Sequence, residues 1–103
     1  MKEDKKKYSR EYMRKYRKDN PLKIKDFKLK QKYGITLIQF NEMFEIQDGV
    51  CVICKIAKAT CVDHCHTTGK VRGILCSNCN TALGMFKDDV KVLLNAINYL
   101  DNI

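Results

Sequence analysis

The sequence predicts a small α+β domain: a short β-hairpin stapled by a four-cysteine zinc site, with basic helices before it and an amphipathic helix after it. Three observations predict this class. Two Cys-x-x-Cys pairs, Cys51/Cys54 and Cys76/Cys79, enclose a 21-residue segment that holds both histidines of the chain. The apolar pattern inside that segment is that of short strands, whereas on either side it has a helical period. The 103-residue chain has room for only a small core, so a metal staple adds much to its stability.

Each Cys-x-x-Cys pair sets two thiolates about one tetrahedral edge apart on a tight knuckle, and two knuckles complete a four-sulfur shell for Zn²⁺. Structural disulfides or ordinary buried cysteines are the competing reading. The paired spacing and the polar Met-Lys-Glu-Asp-Lys start, which lacks a secretory pattern, weigh against them. No apolar run approaches the roughly 18 residues of a membrane span, so a soluble, intracellular protein is expected.

Charge is concentrated at one end. Residues 1–33 carry 14 Lys and Arg against 5 Asp and Glu, a net of +9, and residues 34–103 carry a net of −1, which together give the chain's +8. Four thiolates on one Zn²⁺ would lower the loaded protein to about +6. The division expected is therefore a basic helical arm, 1–33, and a zinc-stapled domain, 34–103. A basic arm with few apolar positions, mostly aromatic, points to a nucleic-acid partner rather than a membrane.

From Glu3 to about Lys18 there is no Gly or Pro, and Tyr8, Tyr12 and Tyr16 recur every four residues, which predicts a helix with an aromatic stripe. The tyrosines either dock the helix on the domain or lie with Arg10, Arg14 and Arg17 along a phosphate backbone, two uses that are compatible. Lys15 and Lys18 belong to the same basic surface, and Arg72, on the second strand, is a further candidate nucleic-acid contact. Asp19-Asn20-Pro21 supplies a cap and a proline at the first helical position, opening a second helix with Leu22, Ile24, Phe27, Leu29 and Tyr33 that Gly34 ends. Thr36 and Gln39 form a capping box for a third helix over about Leu37–Gln47. Its face of Leu37, Phe40, Met43 or Phe44, and Ile46, is expected to be the core beneath the zinc knuckle.

Cys61–His64 and Val71–Leu75 read as two strands joined by the turn residues Thr67-Thr68-Gly69-Lys70. Asn80–Phe86 suits a short helix. Asp88 or Asp89 caps a last amphipathic helix with Val90, Leu93, Leu94, Ile97 and Leu100 on one face, read as a core-covering element.

The enclosed segment also holds chemistry. Asp63 and His64 are adjacent at a strand end, and Asn80 follows the second knuckle, which zinc ties back to the first. Carboxylate and amide oxygens are hard donors suited to Mg²⁺, and imidazole is a base able to activate water near neutral pH. The set is suited to phosphodiester hydrolysis, with His64 deprotonating the water and Asp63 and Asn80 holding the cation.

Cys-Val-Ile-Cys, Val-Asp-His-Cys-His, Gly-Lys-Val-Arg-Gly-Ile-Leu-Cys-Ser-Asn-Cys-Asn and Ala-Leu-Gly-Met-Phe-Lys-Asp, from Cys51 to Asp88, resemble the phage recombination endonuclease VII group of the HNH, or His-Me finger, nucleases. Lys-Tyr-Gly-Ile-Thr at 32–36 extends the likeness more loosely. The resemblance implies a ββα-metal finger with a four-cysteine zinc site. It implies Asp63 and Asn80 as catalytic-metal ligands, His64 as general base and His66 as a second active-site histidine at the scissile phosphate. Where this group usually has Asp-His-Asp-His, this chain has Cys65. A small thiol pointing away from the histidines replaces the acid without touching the chemistry, or else Cys61, Cys65, His64 and His66 bind a second zinc.

The function expected is a DNA endonuclease that uses Mg²⁺ or another divalent cation, with structural zinc, acting in the cytoplasm (the host's, if phage-encoded). The alternatives are a noncatalytic zinc module that binds nucleic acid and a zinc-stapled protein adaptor. A monomer and a homodimer are both compatible with the sequence.

Overall fold

Lys2–Asp19 forms helix α1, an uninterrupted run of helix-compatible residues whose last turn carries Arg17 and Lys18, the sign of charge that the C-terminal end of a helix dipole favours. The computed structural model describes the backbone of residues 2–102 and the side chains of residues 9–102. The chain groups into two compact units, residues 1–41 and 42–103.

In the first unit, one residue separates α1 from helix α2, Pro21–Tyr33. The cap expected from Asp19-Asn20 is not made: the Asn20 amide donates back to the Tyr16 carbonyl at 2.9 Å and accepts nothing from α2. With a single linking residue, the Asn20 backbone still closes the last turn of α1, also onto Tyr16, and its side chain follows. Pro21 takes the first helical position, and Gly34 ends α2 in the left-handed region at φ 71°, its N–H donating to Lys30 O at 3.0 Å. Asp26 accepts from the Leu37 N–H at 2.8 Å, joining α2 to the start of the next helix. Leu29 is buried, while Leu22 and Phe27 of the expected α2 face are exposed.

Helix α3, Leu37–Ile46, begins in the first unit and ends in the second. Its capping box is closed in both directions: Thr36 N–H donates to Gln39 Oε1 at 2.8 Å and Gln39 N–H to Thr36 Oγ1 at 3.1 Å. Gly49 ends the following turn at φ 73°, where a Cβ would meet the Phe44 ring at 3.1 Å. The apolar face of α3 is not the buried core the periodicity suggested. None of its residues is buried, and Ile46 is 82% exposed.

The core of the second unit is sulfur and one strand. Cys51, Leu75 and Cys76 are buried together, with Cys54, Cys79 and Leu83 packed on them, and Ile74 is also fully buried. Strands β1, Cys61–His64, and β2, Val71–Leu75, pair antiparallel with Cys61 opposite Leu75, Val62 opposite Ile74 and Asp63 opposite Gly73. The ladder then shifts, so that His64 faces Val71 and Arg72 has no partner across it. Gly69 turns the hairpin at φ 75°, and Cys65 N–H to Lys70 O closes it at 2.8 Å.

Helix α4, Ser77–Met85, begins three residues earlier than the sequence suggested. Its N-cap is Cys76, whose sulfur accepts the Cys79 N–H at 3.4 Å, so the second knuckle is itself the first turn of the helix. Helix α5, Val90–Asp101, is capped by Asp89, whose carboxylate accepts from Lys91 and Val92. It does not cover the core: no α5 residue is buried, and Val90, Leu94, Ile97 and Leu100 are more than half exposed. The period of an amphipathic helix specifies a face but not what that face meets, and here the sulfur cluster and β2 have already made the core. Among the described residues, no helix is long and apolar enough to cross a membrane.

Candidate functional site

The four sulfurs of Cys51, Cys54, Cys76 and Cys79 lie within 4.8 Å of one another, with Cys54 and Cys76 at 3.9 Å. A tetrahedral zinc with Zn–S bonds of about 2.3 Å requires sulfurs about 3.8 Å apart, so the cluster can hold a metal such as zinc once its wider pairs draw in by up to about 1 Å. Backbone donors already surround it: Ile53 N–H points at Cys51 Sγ and Cys79 N–H at Cys76 Sγ, both at 3.4 Å. The first knuckle closes through Lys55 in the left-handed region, φ 59°, with its N–H on Cys51 O at 2.9 Å.

The thiols are electrostatically unequal. Burial pushes Cys51 up, but N–H donors from Cys76, Cys54 and Ile53 outweigh it and bring it down to about 6. Cys79 is pushed up to about 12, first by its hydrogen bond with Cys76, then by burial and by Cys51 and Cys54. A divalent cation that takes all four sulfurs displaces the remaining protons, so metal affinity weakens as pH falls.

Gln47 joins the two knuckles. Its Nε2 donates to Val50 O at 3.0 Å and to Ile74 O at 2.7 Å, and its Oε1 accepts from Ile74 N–H at 3.0 Å. The side chain acts as an extra strand segment along the edge of β2, supporting the centre where the α3 face was expected to do so. Glutamine at a helix end carries no sequence signal of such a role.

At the turn end of the hairpin, polar groups converge. The Asp63 carboxylate is gripped at both oxygens by Arg72, Nε to Oδ2 at 2.7 Å and Nη2 to Oδ1 at 3.0 Å. Arg72 Nη2 also donates to Asp88 Oδ2 at 3.2 Å, and His66 Nε2 stands 3.7 Å from that same oxygen. The His64 and His66 rings meet edge to face with centroids 5.0 Å apart. Asn80 is exposed on the first turn of α4, with its N–H on Cys76 O at 3.0 Å, and α4 packs against β1.

Arg72 is thus committed to two carboxylates. The hydrogen bond with Asp63, with Asp88 adding to it, raises the guanidinium pKa still further despite desolvation. Asp88 was weighed in the sequence only as a cap. With Asp89 serving that purpose, the preceding residue is available to the site, which it reaches from a left-handed backbone at Lys87 and Asp88, φ 54° and 55°. The doubling of aspartates before one helix start, of which a cap needs only one, is the signal from which it could be found.

Cys65 lies beyond the end of β1, in the turn. The Thr68 hydroxyl and the N–H groups of Thr68 and Thr67 point to its sulfur and bring the thiol down to about 7. It occupies the acceptor place of a turn-capping acid. Among the described residues, the one group of three or more His, Cys, Asp or Glu able to share a metal ion is the cysteine quartet. Cys61, Cys65, His64 and His66 do not form a second.

On α1, Arg10, Arg14, Lys15, Arg17 and Lys18 are exposed, and Tyr12 and Tyr16 stack at 6.3 Å. Tyr16 lines an open groove with Met13, Ile24 and Phe27 of α1 and α2, joined by Arg17 and Lys23. The side chain of Tyr8, third member of the stripe, lies outside the described residues.

A hairpin and a helix brought together at four thiols that can hold a metal, with acids, imidazoles and a guanidinium gathered at the hairpin's turn, define a small domain with a polar site at its surface. The chain belongs to the recombination endonuclease VII family, which it matches over residues 26–102. It is 45% identical over 73 residues to the gene 59 protein of Mycobacterium phage D29, covering 66% of this chain and 44% of that protein. It is 44% identical over 75 residues to the gene 59 protein of Mycobacterium phage L5, covering 68% of this chain and 46% of that one. The match thus spans less than half the length of either relative. No solved structure matches.

Proposed function

We propose that this chain is a divalent-metal-dependent DNA endonuclease, a ββα-metal finger of the His-Me type in which His64 is the general base. One observation carries the reading: in a chain of the endonuclease VII family, Asp63, His64 and His66 stand at one end of a hairpin that four cysteines tie to the helix bearing Asn80. Zn²⁺ in the quartet is structural and sets the spacing between Asp63 and Asn80.

Asp63 and Asn80 are the oxygen donors that would hold Mg²⁺. The donor set fits a hard cation, and the Asp63 carboxylate already holds a cationic group on both oxygens. Bound there, Mg²⁺ supplies stabilisation of the charge that develops at the scissile phosphate and the leaving oxygen. His64 takes a proton from the attacking water, whose oxygen bonds to phosphorus as the bond to the leaving oxygen breaks. His66, in edge contact with His64, donates to a phosphate oxygen. Arg10, Arg14, Lys15, Arg17 and Lys18 of the arm, residues 1–33, hold the DNA backbone, and the protein works in the cytoplasm, the host's if it is phage-encoded.

The test is to incubate the purified, zinc-loaded chain with supercoiled, linear and four-way-junction DNA, with and without Mg²⁺. Metal-dependent cleavage is expected. Binding without cleavage under any divalent metal would replace the enzyme with a zinc module that only binds nucleic acid.

A further inference from the structure

We infer that Arg72 competes with the divalent cation for Asp63, and that Asp88 retains the displaced guanidinium within the site, so that metal and DNA bind cooperatively. The inference rests on the reading of Asp63 as a metal ligand.

The geometry makes the competition direct. Both oxygens of Asp63 accept from Arg72, and the carboxylate is only 13% exposed while the arginine side chain is 40% exposed. The guanidinium therefore occupies one lone-pair position on each oxygen, and a cation that takes the chelating position between the two oxygens must displace the N–H donors now there. The ladder shift explains how the pair meets. Regular pairing would set Arg72 opposite His64, on the other face from Asp63; with Arg72 left out of the ladder, its side chain is re-aimed to the face of Asp63.

Asp88 makes the displacement local. Arg72 already donates to it through Nη2 at 3.2 Å, so a guanidinium that gives up Asp63 remains anchored by that contact. Its Nε and remaining N–H groups then face outward, unpaired, beside a bound cation. Two adjacent positive charges disfavour that state until an anion arrives. A phosphodiester supplies oxygens to the cation and a bidentate acceptor to the freed guanidinium together. Metal bound alone thus sacrifices a charge-assisted pair, and metal bound with DNA replaces it. That difference is a coupling free energy between the two ligands, and it is reciprocal.

The experiment measures Mn²⁺ binding by electron paramagnetic resonance to the full zinc-loaded chain, in a His64→Ala background to prevent cleavage, with and without a duplex oligonucleotide. The parent should bind Mn²⁺ weakly alone and at least about tenfold more tightly with DNA, a typical coupling. Arg72→Ala should bind Mn²⁺ alone more tightly than the parent and lose most of the enhancement by DNA. Asp88→Asn should weaken the enhancement without tightening Mn²⁺ binding alone. Zinc content and circular dichroism monitor the fold; if Arg72→Ala loses zinc, Arg72→Gln, which retains hydrogen-bonding capacity without charge, takes its place. Unchanged Mn²⁺ affinity and enhancement in the Arg72 variant would overturn the competition. Mn²⁺ binding that is indifferent to Asp63→Asn would instead remove Asp63 as a ligand, and with it the reading on which the inference stands.

Discussion

Replacing His64 with Ala removes the proposed base while leaving Asp63 with Arg72 and the cysteine quartet in place. Zinc content and DNA affinity should persist, and single-turnover cleavage should fall by at least about 10²-fold, the lower end of what a positioned base contributes. Gln47→Ala tests a different kind of residue. It deletes three hydrogen bonds, two of them to the main chain of fully buried Ile74, and leaves those groups without that partner. The expected loss is about 1 to 3 kcal/mol, read as a lower urea midpoint of the zinc-loaded protein. At Cys65, the Thr68 hydroxyl and the N–H groups of Thr68 and Thr67 converge on the sulfur and lower its pKa.

Among the elements, the β2–α4 junction concentrates the most function in the fewest residues. Cys76 follows β2 directly, caps α4, is buried in the core and belongs to the four-sulfur cluster. Cys76→Ser separates these roles, because serine is itself a good N-cap and differs mainly in losing the thiolate. Elemental analysis of the wild-type chain should give one zinc, and the variant should lose it together with the part of the far-UV dichroism that the second unit contributes, since small zinc domains commonly lack a stable fold without metal. A variant that stays folded without zinc would show that the apolar contacts of Leu75 and Leu83 suffice. Helix α5, with no buried residue, has no part in that expectation.

For the whole molecule, the uneven charge is the property to test. Deleting residues 1–33 removes a net +9. DNA binding should weaken and depend less steeply on salt, because each lost phosphate contact takes about 0.9 from the slope of log K against log salt. The second unit, whose core lies between Cys51 and Leu83, should keep its bound zinc and its melting transition. Equal affinity and slope in the truncated chain would assign the arm to another partner.

What the sequence by itself determined are the features encoded locally. Two Cys-x-x-Cys pairs imply a four-thiol cluster that can hold a metal, wherever the chain runs between them. The capping box of Thr36 and Gln39, the left-handed Gly34 and the two strands each follow from a few neighbouring residues. The tertiary structure decided which faces are buried and which polar groups meet. It left α3 and α5 without a buried residue, because the sulfur cluster and β2 already form the core. It brought Gln47 to Ile74 across 27 residues of chain, and a single shift of register carried Arg72 to the face of Asp63 and within reach of Asp88. A periodicity has no place for a partner so distant in sequence or for a residue left out of a ladder; the first supports β2, and the second sets the charge contacts of Asp63 and Asp88.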